Sequence, residues 1–211
     1  MIVMSRSPRR EREKEETQRR ILDAARDLFA LHGYDAVTMR AIADRIEYTP
    51  TALYFHFADK RALFHRLCAE DFGALAARFQ VLARVPDPVE RLRMIGRAYV
   101  TFAIEHPNQY RLTFMTSGPT LPAEESAPEP GHAERDAHAF LRLAVSEAIA
   151  AGRFRPEYGD ADLVSQVLWA GMHGLASLQI VKGEAEWIAW RPVEERIGAL
   201  LDALLRGLLG D

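Results

Sequence analysis

The stretch from Thr38 to Lys60, TMRAIADRIEYTPTALYFHFADK, constrains the fold more tightly than any other part of this 211-residue chain. It predicts two short amphipathic helices joined by a turn. The first helix, Met39 to Arg45, follows Thr38, whose hydroxyl can accept a hydrogen bond from a backbone N–H in the first helical turn. Ile42 and Ile46 lie four residues apart and therefore share the inward face of this helix.

The second helix is predicted by the same kind of signal. Thr49 is placed to cap it, and Pro50 takes its first position, where a missing backbone N–H costs nothing. The helix continues through Leu53 to Phe55 and is too short to be stable by itself. A short helix packed on another across a three-residue turn is the arrangement that places a recognition helix in the major groove of DNA.

Many positions of this segment resemble, in register, the TetR family of one-component transcriptional regulators. The matching pattern is Gly33-Tyr34-Asp35-Ala36-Val37-Thr38-x-Arg40-x-Ile42-Ala43, then Thr49, then Leu53-Tyr54-x-His56-Phe57-x-x-Lys60-x-x-Leu63. The resemblance implies a DNA-binding head, a double-stranded DNA operator as partner, and a small-molecule effector bound by the remainder of a homodimer.

On this reading the head divides its residues among three tasks. Recognition-helix residues would face base edges, where threonine and alanine can touch thymine methyl groups: Thr49, Pro50, Thr51 and Ala52. A second set would hold phosphates and set the register on the duplex: Thr38, Arg40, Tyr54, His56 and Lys60. A third set would pack the head: Leu53, Phe57 and Leu63.

The turn between the two helices departs from the family pattern. Where the family usually carries a small residue followed by glycine, this chain has Ile46-Glu47-Tyr48. Glycine adopts positive φ at little cost and glutamate does not. Either the turn is built differently or Glu47 is strained, and we expect Tyr48 to lie against the head or the DNA backbone.

Composition limits the other possibilities. Apolar residues make up 48% of the chain, which favours a packed core over disorder. The single cysteine, Cys68, excludes an internal disulfide and thiolate metal clusters, and it suits a reducing compartment. No apolar run is long enough to span a membrane and the N-terminus is charged, so we expect a cytoplasmic protein with no membrane partner.

Net charge is −3, but basic residues are concentrated towards the N-terminus. The segment 1–16 reads as a flexible arm whose arginines could lie along phosphates or enter a minor groove, with Arg19 and Arg20 continuing it. Glutamates interrupt the arm, so a solvated tail is an equal alternative.

The whole chain reads as all-α, with about nine helices and no convincing strand. We expect a helix-turn-helix domain over 17–62 and a ligand-binding and dimerisation domain over 63–211. A proline-rich loop interrupts the second domain at 116–133. The predicted helices outside the helix-turn-helix motif are Thr17–His32, Lys60–Ala83, Val89–His106, Asn108–Met115, Glu134–Ala151, Ala161–Val181 and Val193–Leu209.

The last two predicted helices favour dimerisation. Glycines 171 and 174 lie inside Ala161–Val181, where each costs about 1 kcal/mol relative to alanine, so close approach of another helix is the simplest reason for them. The helix Val193–Leu209 carries a broad leucine stripe. Two such helices from each subunit would form a four-helix interface. The alternative is that both helices are merely core, but a dimer is favoured because a short recognition helix alone reads too few bases and a two-fold operator requires a two-fold protein.

The segment Trp169-Ala170-Gly171-Met172-His173-Gly174 also resembles the WHG-type C-terminal domain of part of the TetR family. That resemblance implies a ligand pocket enclosed with the preceding helices, and any one of its residues could instead be ordinary core. The candidate ligand-binding residues are Met94, Tyr99, Phe102, Tyr110, Phe114, Met115, Trp169, Met172 and His173.

Other chemistry finds little support in the sequence. His132 and His138 are spaced by six, which does not place both on one helical face, so we expect no metal site. Cys68 follows His65 on a helix without any further catalytic group, so we expect no enzyme activity and no cofactor. The alternative to a DNA-binding regulator is a helical small-molecule-binding protein or enzyme with a vestigial head.

Overall fold

The computed structural model describes residues 8–119 and 136–210, and within them the chain forms nine α-helices. Short 3₁₀ turns follow α4 and α7, and one π-helical turn, Arg111–Met115, continues α6. The helices are α1 (Pro8–His32), α2 (Met39–Arg45), α3 (Pro50–Tyr54), α4 (Lys60–Gln80), α5 (Pro88–Glu105), α6 (Pro107–Tyr110), α7 (Ala137–Ala150), α8 (Ala161–Lys182) and α9 (Val193–Leu208).

The all-α prediction is confirmed, and most helix starts follow from local capping chemistry. Asp59 Oδ1 accepts from the Ala62 N–H at 2.7 Å, so α4 begins where the sequence indicated. Asp87, Asp136 and Asp160 each accept two N–H groups in the first turns of α5, α7 and α8. Gly152 lies at φ +66° after α7, which suits a residue that ends a helix.

Some helix bounds differ from the predicted ones. α1 begins at Pro8 and not at Thr17, so the part of the predicted flexible arm from residue 8 to 16 is helical; residues 1–7 lie outside the described residues. α4 ends at Gln80, and a 3₁₀ turn takes up the residues to Arg84. The predicted loop 116–133 falls mostly outside the described residues.

The chain divides into two compact units, and the division differs from the predicted boundary at residue 62. Among the described residues, the first unit comprises 8–70 and 108–119. Leu63, Phe64 and Leu67 of α4 are buried in its core, and so is Leu112 of the π-helical turn. Side chains beyond the predicted boundary therefore complete the packing of the first unit.

The first unit is held by apolar burial around α1, α2 and α3. Ile21, Phe29, Ile42 and Leu53 are fully buried. Burying one such side chain stabilises the fold by about 1.5–3 kcal/mol. α3 contributes only Leu53 to this core, so the five-residue helix depends on the surrounding unit for its stability.

In the second unit α5 packs against α7, α8 and α9, and α8 packs against α7 and α9. Glycine permits two of these close approaches. A Cβ on Gly96 would lie 2.6 Å from Leu201 Cδ2, and one on Gly171 would lie 2.8 Å from Leu204 Cδ1. The expected close approach of another helix is therefore found at Gly171, within the same chain.

The turn between α2 and α3 has the geometry of a Schellman motif with glutamate at the glycine position. Glu47 lies at φ +60°. The Tyr48 N–H donates to Ala43 O at 2.9 Å and the Glu47 N–H donates to Asp44 O at 3.3 Å. The turn is thus built in the usual way, and the cost falls on Glu47, whose Cβ meets the following carbonyl in this conformation.

We predict that Glu47→Gly stabilises the protein by about 0.5–1 kcal/mol, because relief of the left-handed strain exceeds the added freedom of the unfolded chain. Urea unfolding followed by circular dichroism measures the change. Glu47→Ala is the matched control, since it removes the carboxylate and keeps the Cβ. An equal gain in Glu47→Ala would show that charge, and not backbone strain, is the source of the effect.

Candidate nucleic-acid interface and ligand site

Two threonine caps position the helices of the helix-turn-helix motif. Thr38 Oγ1 accepts from the Ala41 N–H at 3.1 Å, and Thr49 Oγ1 accepts from the Ala52 N–H at 3.3 Å. Both cap residues have extended backbone, as capping requires. The Thr49 hydroxyl oxygen therefore serves as a cap within the protein, while its O–H remains able to donate.

α3 buries one face and exposes the other. Leu53 is fully buried, Thr51 is exposed, and Pro50 and Ala52 are half-buried. Tyr54 is 54% exposed at the end of the helix. Of the four predicted base-facing residues, Thr49 and Thr51 are therefore exposed, whereas Pro50 and Ala52 are partly covered by the head.

Arg40 lies on the exposed side of α2. Its side chain is 83% exposed, and its Nε lies 3.9 Å from Asp44 Oδ2, one helical turn later. An ion pair this exposed contributes little to stability. The guanidinium is therefore available to a phosphate at little cost to the fold.

Lys60 has a role that the sequence did not predict. Its Nζ donates to Tyr34 O and to Val37 O, both at 2.9 Å, and lies 4.2 Å from the centroid of the Tyr34 ring. The ammonium thus ties the start of α4 to the loop between α1 and α2. The contact of Lys60 with a phosphate stays a prediction. To make it, the ammonium group would have to bind the phosphate while it also bonds to the two carbonyl oxygens.

His56 is half-buried, and no partner for its buried Nδ1 is found among the described residues. Burial, and secondarily the charge of Lys14, lower the pKa of His56 below the ordinary histidine value. A neutral imidazole can donate one hydrogen bond to a phosphate but adds no charge to the contact.

Sequence reasoning missed Phe55, which is 84% exposed immediately after α3. Helical phase could have predicted this exposure. Leu53 and Phe57 are four residues apart and turn inward, so Phe55, midway between them, points away from the core. An aromatic side chain this exposed lies beside Tyr54 and extends the surface of the recognition helix.

A polar network joins three of the predicted ligand-binding residues in the second unit. Trp169 Nε1 donates to Tyr99 Oη at 2.9 Å, and Tyr99 Oη lies 3.3 Å from His173 Nδ1. Ser177 Oγ lies 3.2 Å from His173 Nε2. Burial lowers the pKa of His173, so the imidazole is neutral near pH 7 and bonds on both sides of its ring.

The other predicted ligand residues fall into two groups. Met94, Phe102 and Met172 lie in the second unit, with Phe102 and Met172 buried. Tyr110, Phe114 and Met115 belong to the first unit, where Tyr110 is fully buried and its ring lies tilted against that of Phe114, with 5.0 Å between the ring centroids. The nine predicted ligand-binding residues are therefore divided between the two units, and neither unit contains all of them.

Across residues 8–119 and 136–210, no group of three or more histidine, cysteine, aspartate or glutamate side chains could hold a metal ion. His138 lies against the Trp169 ring, at 5.8 Å between centroids, and His132 lies outside the described residues. Cys68 packs against the core of the first unit.

No helix in the described part of the chain is long and apolar enough to cross a membrane.

The geometry of the first unit, with capped helices α2 and α3 around a three-residue turn, is that of a helix-turn-helix protein.

Comparison with protein families identifies the class more closely. Residues 21–67 match the family described as bacterial regulatory proteins, tetR family, and residues 92–208 match the tetracyclin repressor-like C-terminal domain. The chain therefore belongs to the TetR family of bacterial regulatory proteins.

Two curated relatives match part of the chain. The HTH-type transcriptional repressor Rv1474c of Mycobacterium tuberculosis is 45% identical over 60 residues, which cover 28% of this chain and 32% of the relative. The HTH-type transcriptional regulator UidR of Escherichia coli is 32% identical over 83 residues, 39% of each chain. The alignment thus spans about a third of the length of these relatives.

Solved structures match over almost the whole chain. A protein of unknown function from Rhodococcus sp. RHA1 is 26% identical with a TM-score of 0.70, covering 92% of this chain and 95% of that one. The TetR family transcriptional regulator PfmR from Thermus thermophilus is 22% identical with a TM-score of 0.71, covering 88% of this chain and 97% of that one. The second likeness shows the fold alone.

Proposed function

We propose that this protein is a ligand-responsive transcriptional regulator that binds double-stranded DNA as a homodimer in the cytoplasm. The observation that carries the proposal is the geometry of α3, which buries only Leu53 and exposes its opposite side. A helix held this way can enter the major groove without unfolding the head. Membership of a family of regulatory proteins supports the same function.

The proposed DNA contacts follow the exposed surface of the motif. The face of α3 reads base edges through Thr49, Pro50, Thr51 and Ala52. The surrounding residues contact phosphates and set the register: Thr38, Arg40, Tyr54, His56 and Lys60. Arg40 is the strongest candidate of this second set, since its guanidinium is charged and 83% exposed.

We predict that Arg40→Ala weakens DNA binding and lowers the slope of log affinity against log salt concentration by about 1, because one phosphate contact is lost. The probe is a duplex selected from a random library by the unaltered protein, and the measurement is fluorescence anisotropy across a salt series. Arg66→Ala is a matched control, since Arg66 is also exposed and pairs with an acidic residue four positions on. Equal salt slopes in the unaltered protein and Arg40→Ala would contradict the phosphate contact.

The dimer is proposed to form through α8 and α9. An apolar stripe on α8 is exposed in the single chain, with Leu163, Val167, Leu178 and Val181 each 45–52% exposed. Gly174 lies on the same stripe, and a Cβ there would meet nothing within 4 Å. Unlike Gly171, it has no close neighbour among the described residues of its own chain, which is what a position reserved for a partner's helix requires.

Beside this stripe, α9 exposes small residues. Ala199, Ala203 and Gly207 lie on its exposed side, while Ile197, Leu201 and Leu205 face the core of the same unit. Small side chains allow helices to approach closely. Two copies of the α8–α9 pair therefore form a four-helix interface, and the two-fold axis matches a two-fold operator.

We predict that Val167→Glu converts the dimer into a monomer at micromolar concentration, because a carboxylate would be buried without a partner. Size-exclusion chromatography with light scattering measures the mass. Val81→Glu is the control, since Val81 is 74% exposed and lies outside the proposed interface. A Val167→Glu protein that keeps the mass of two chains would place the interface elsewhere.

The effector is proposed to be a small hydrophobic molecule bound in the second unit. Tyr99, Phe102, Trp169 and Met172 supply ring faces and a thioether, the materials of small-molecule sites. The polar atoms of Tyr99, Trp169 and His173 bond to one another, so these three side chains offer little that would favour a highly charged ligand. Binding there releases the operator, as in a repressor, by favouring one of two arrangements of the heads.

We predict that a compound found by thermal-shift screening of hydrophobic metabolites and drugs also releases the selected duplex, because it binds one conformational state preferentially. Trp169→Ala is expected to lower the affinity for that compound about ten-fold, because an aromatic face is lost. Trp187→Ala is the matched control, since Trp187 is 78% exposed on the connection between α8 and α9. Stabilising compounds that never release DNA would contradict the effector model.

A further inference from the structure

Arg20 of α1 makes three contacts with the turn between α2 and α3. Its Nη2 donates to Ile46 O at 3.2 Å, and its Nη1 donates to Tyr48 Oη at 3.4 Å. The guanidinium carbon lies 5.2 Å from the centroid of the Tyr48 ring. One side chain thus holds the residues on both sides of Glu47, the residue at positive φ.

The turn needs such support because glutamate does not favour the conformation that Glu47 adopts. Leaving the left-handed region would break the bonds from the Tyr48 and Glu47 N–H groups to the end of α2. Thr49, the cap of α3, follows Tyr48 directly, so a change in the turn would move the start of the recognition helix.

Tyr48 gives the arginine a fixed point of attachment. Tyr48 packs against the buried core of the first unit, and the Arg20 guanidinium lies over its ring. A guanidinium can stack on a ring and donate in the same plane, which an ammonium cannot do. The Ile46–Tyr48 turn and Arg20 therefore form one local assembly.

We propose that Arg20 is a positioning residue for DNA recognition, which holds the Ile46–Glu47–Tyr48 turn and so sets the placement of α3. Its consequence for DNA binding rests on the function proposed above. This assignment differs from the expectation that Arg20 continues a basic arm along the phosphates. The two roles make different demands, because a phosphate contact needs positive charge whereas positioning needs the planar, forked guanidinium.

The first experiment needs no DNA. Hydrogen exchange with mass spectrometry follows peptides that span residues 46–52 in the unaltered protein, Arg20→Lys, Arg20→Ala and Arg19→Ala. We expect exchange to be about two- to five-fold faster in both Arg20 variants, because neither alanine nor lysine can bond to Ile46 O and Tyr48 Oη from one planar, forked group. Arg19→Ala, which removes the exposed neighbouring arginine, should leave these peptides unchanged.

The second experiment measures affinity for the selected duplex across a salt series. Arg20→Lys and Arg20→Ala should weaken binding alike, by about two- to five-fold, because a smaller fraction of molecules has the competent turn. The salt slope should stay that of the unaltered protein. Adding Glu47→Gly to Arg20→Ala should restore most of the affinity, since glycine takes the left-handed conformation unaided.

The contrary outcomes are equally distinct. Unchanged exchange in Arg20→Ala overturns the proposal, and so does an Arg20→Lys protein that keeps full affinity while Arg20→Ala lowers the salt slope by about 1, the signature of a phosphate contact. If the unaltered protein selects no duplex, the proposed DNA-binding function fails. The exchange experiment still decides in that case whether Arg20 holds the turn.

Discussion

A five-residue helix cannot hold itself together in water, and the proposed reading surface of this protein is such a helix. The structure meets this constraint with one buried side chain, Leu53, and one cap, Thr49. Leu53 is useful only because the core of the first unit is already assembled from α1, α2, the start of α4 and Leu112. The stability of the recognition helix is therefore a property of the whole unit.

The same dependence explains why the turn before α3 tolerates glutamate. A left-handed glutamate is unfavourable locally, but the turn closes two backbone bonds and places Tyr48 against the core. Arg20 adds contacts from a separate helix. Tertiary contacts thus offset a local preference, which is the usual way in which a strained residue persists in a folded protein.

The two glycines of α8 show how one sequence pattern can have two physical causes. Gly171 is closely approached by Leu204 of the same chain, whereas no described residue lies within 4 Å of the place that a Cβ on Gly174 would take. From the sequence both glycines favoured close helix packing. The structure separates the internal contact from the position that the proposed dimer would fill.

Helix starts could be predicted because they depend on residues three or four positions apart. Asp59, Thr38 and Thr49 cap as expected, and the pattern of the head core was right at Leu53, Phe57 and Leu63. The start of α1 was wrong, because its first turns are rich in charged residues and lack the apolar periodicity on which the prediction relied. Glu13 pairs with Arg9 there, one turn earlier, at 2.7 Å.

The exposure of the candidate site residues on α2 and α3 could be predicted from helical phase. The contacts that some candidate residues make with distant parts of the chain could not be predicted in this way. Lys60 bonds to carbonyls 26 and 23 residues earlier, and Arg20 reaches a carbonyl 26 residues later. Tyr110 was predicted to bind the ligand, and Leu112 lies within the predicted ligand-binding domain without an assigned role. In the structure both residues belong to the first unit.

The sequence by itself determined the all-α class, the helix-turn-helix segment and its caps. These features depend on short-range hydrogen bonds and on helical periodicity, which involve residues only a few positions apart. Only the tertiary structure decided which long side chains serve the fold and which remain exposed. A flexible lysine or arginine has many partners within reach, and the packing of distant segments selects among them.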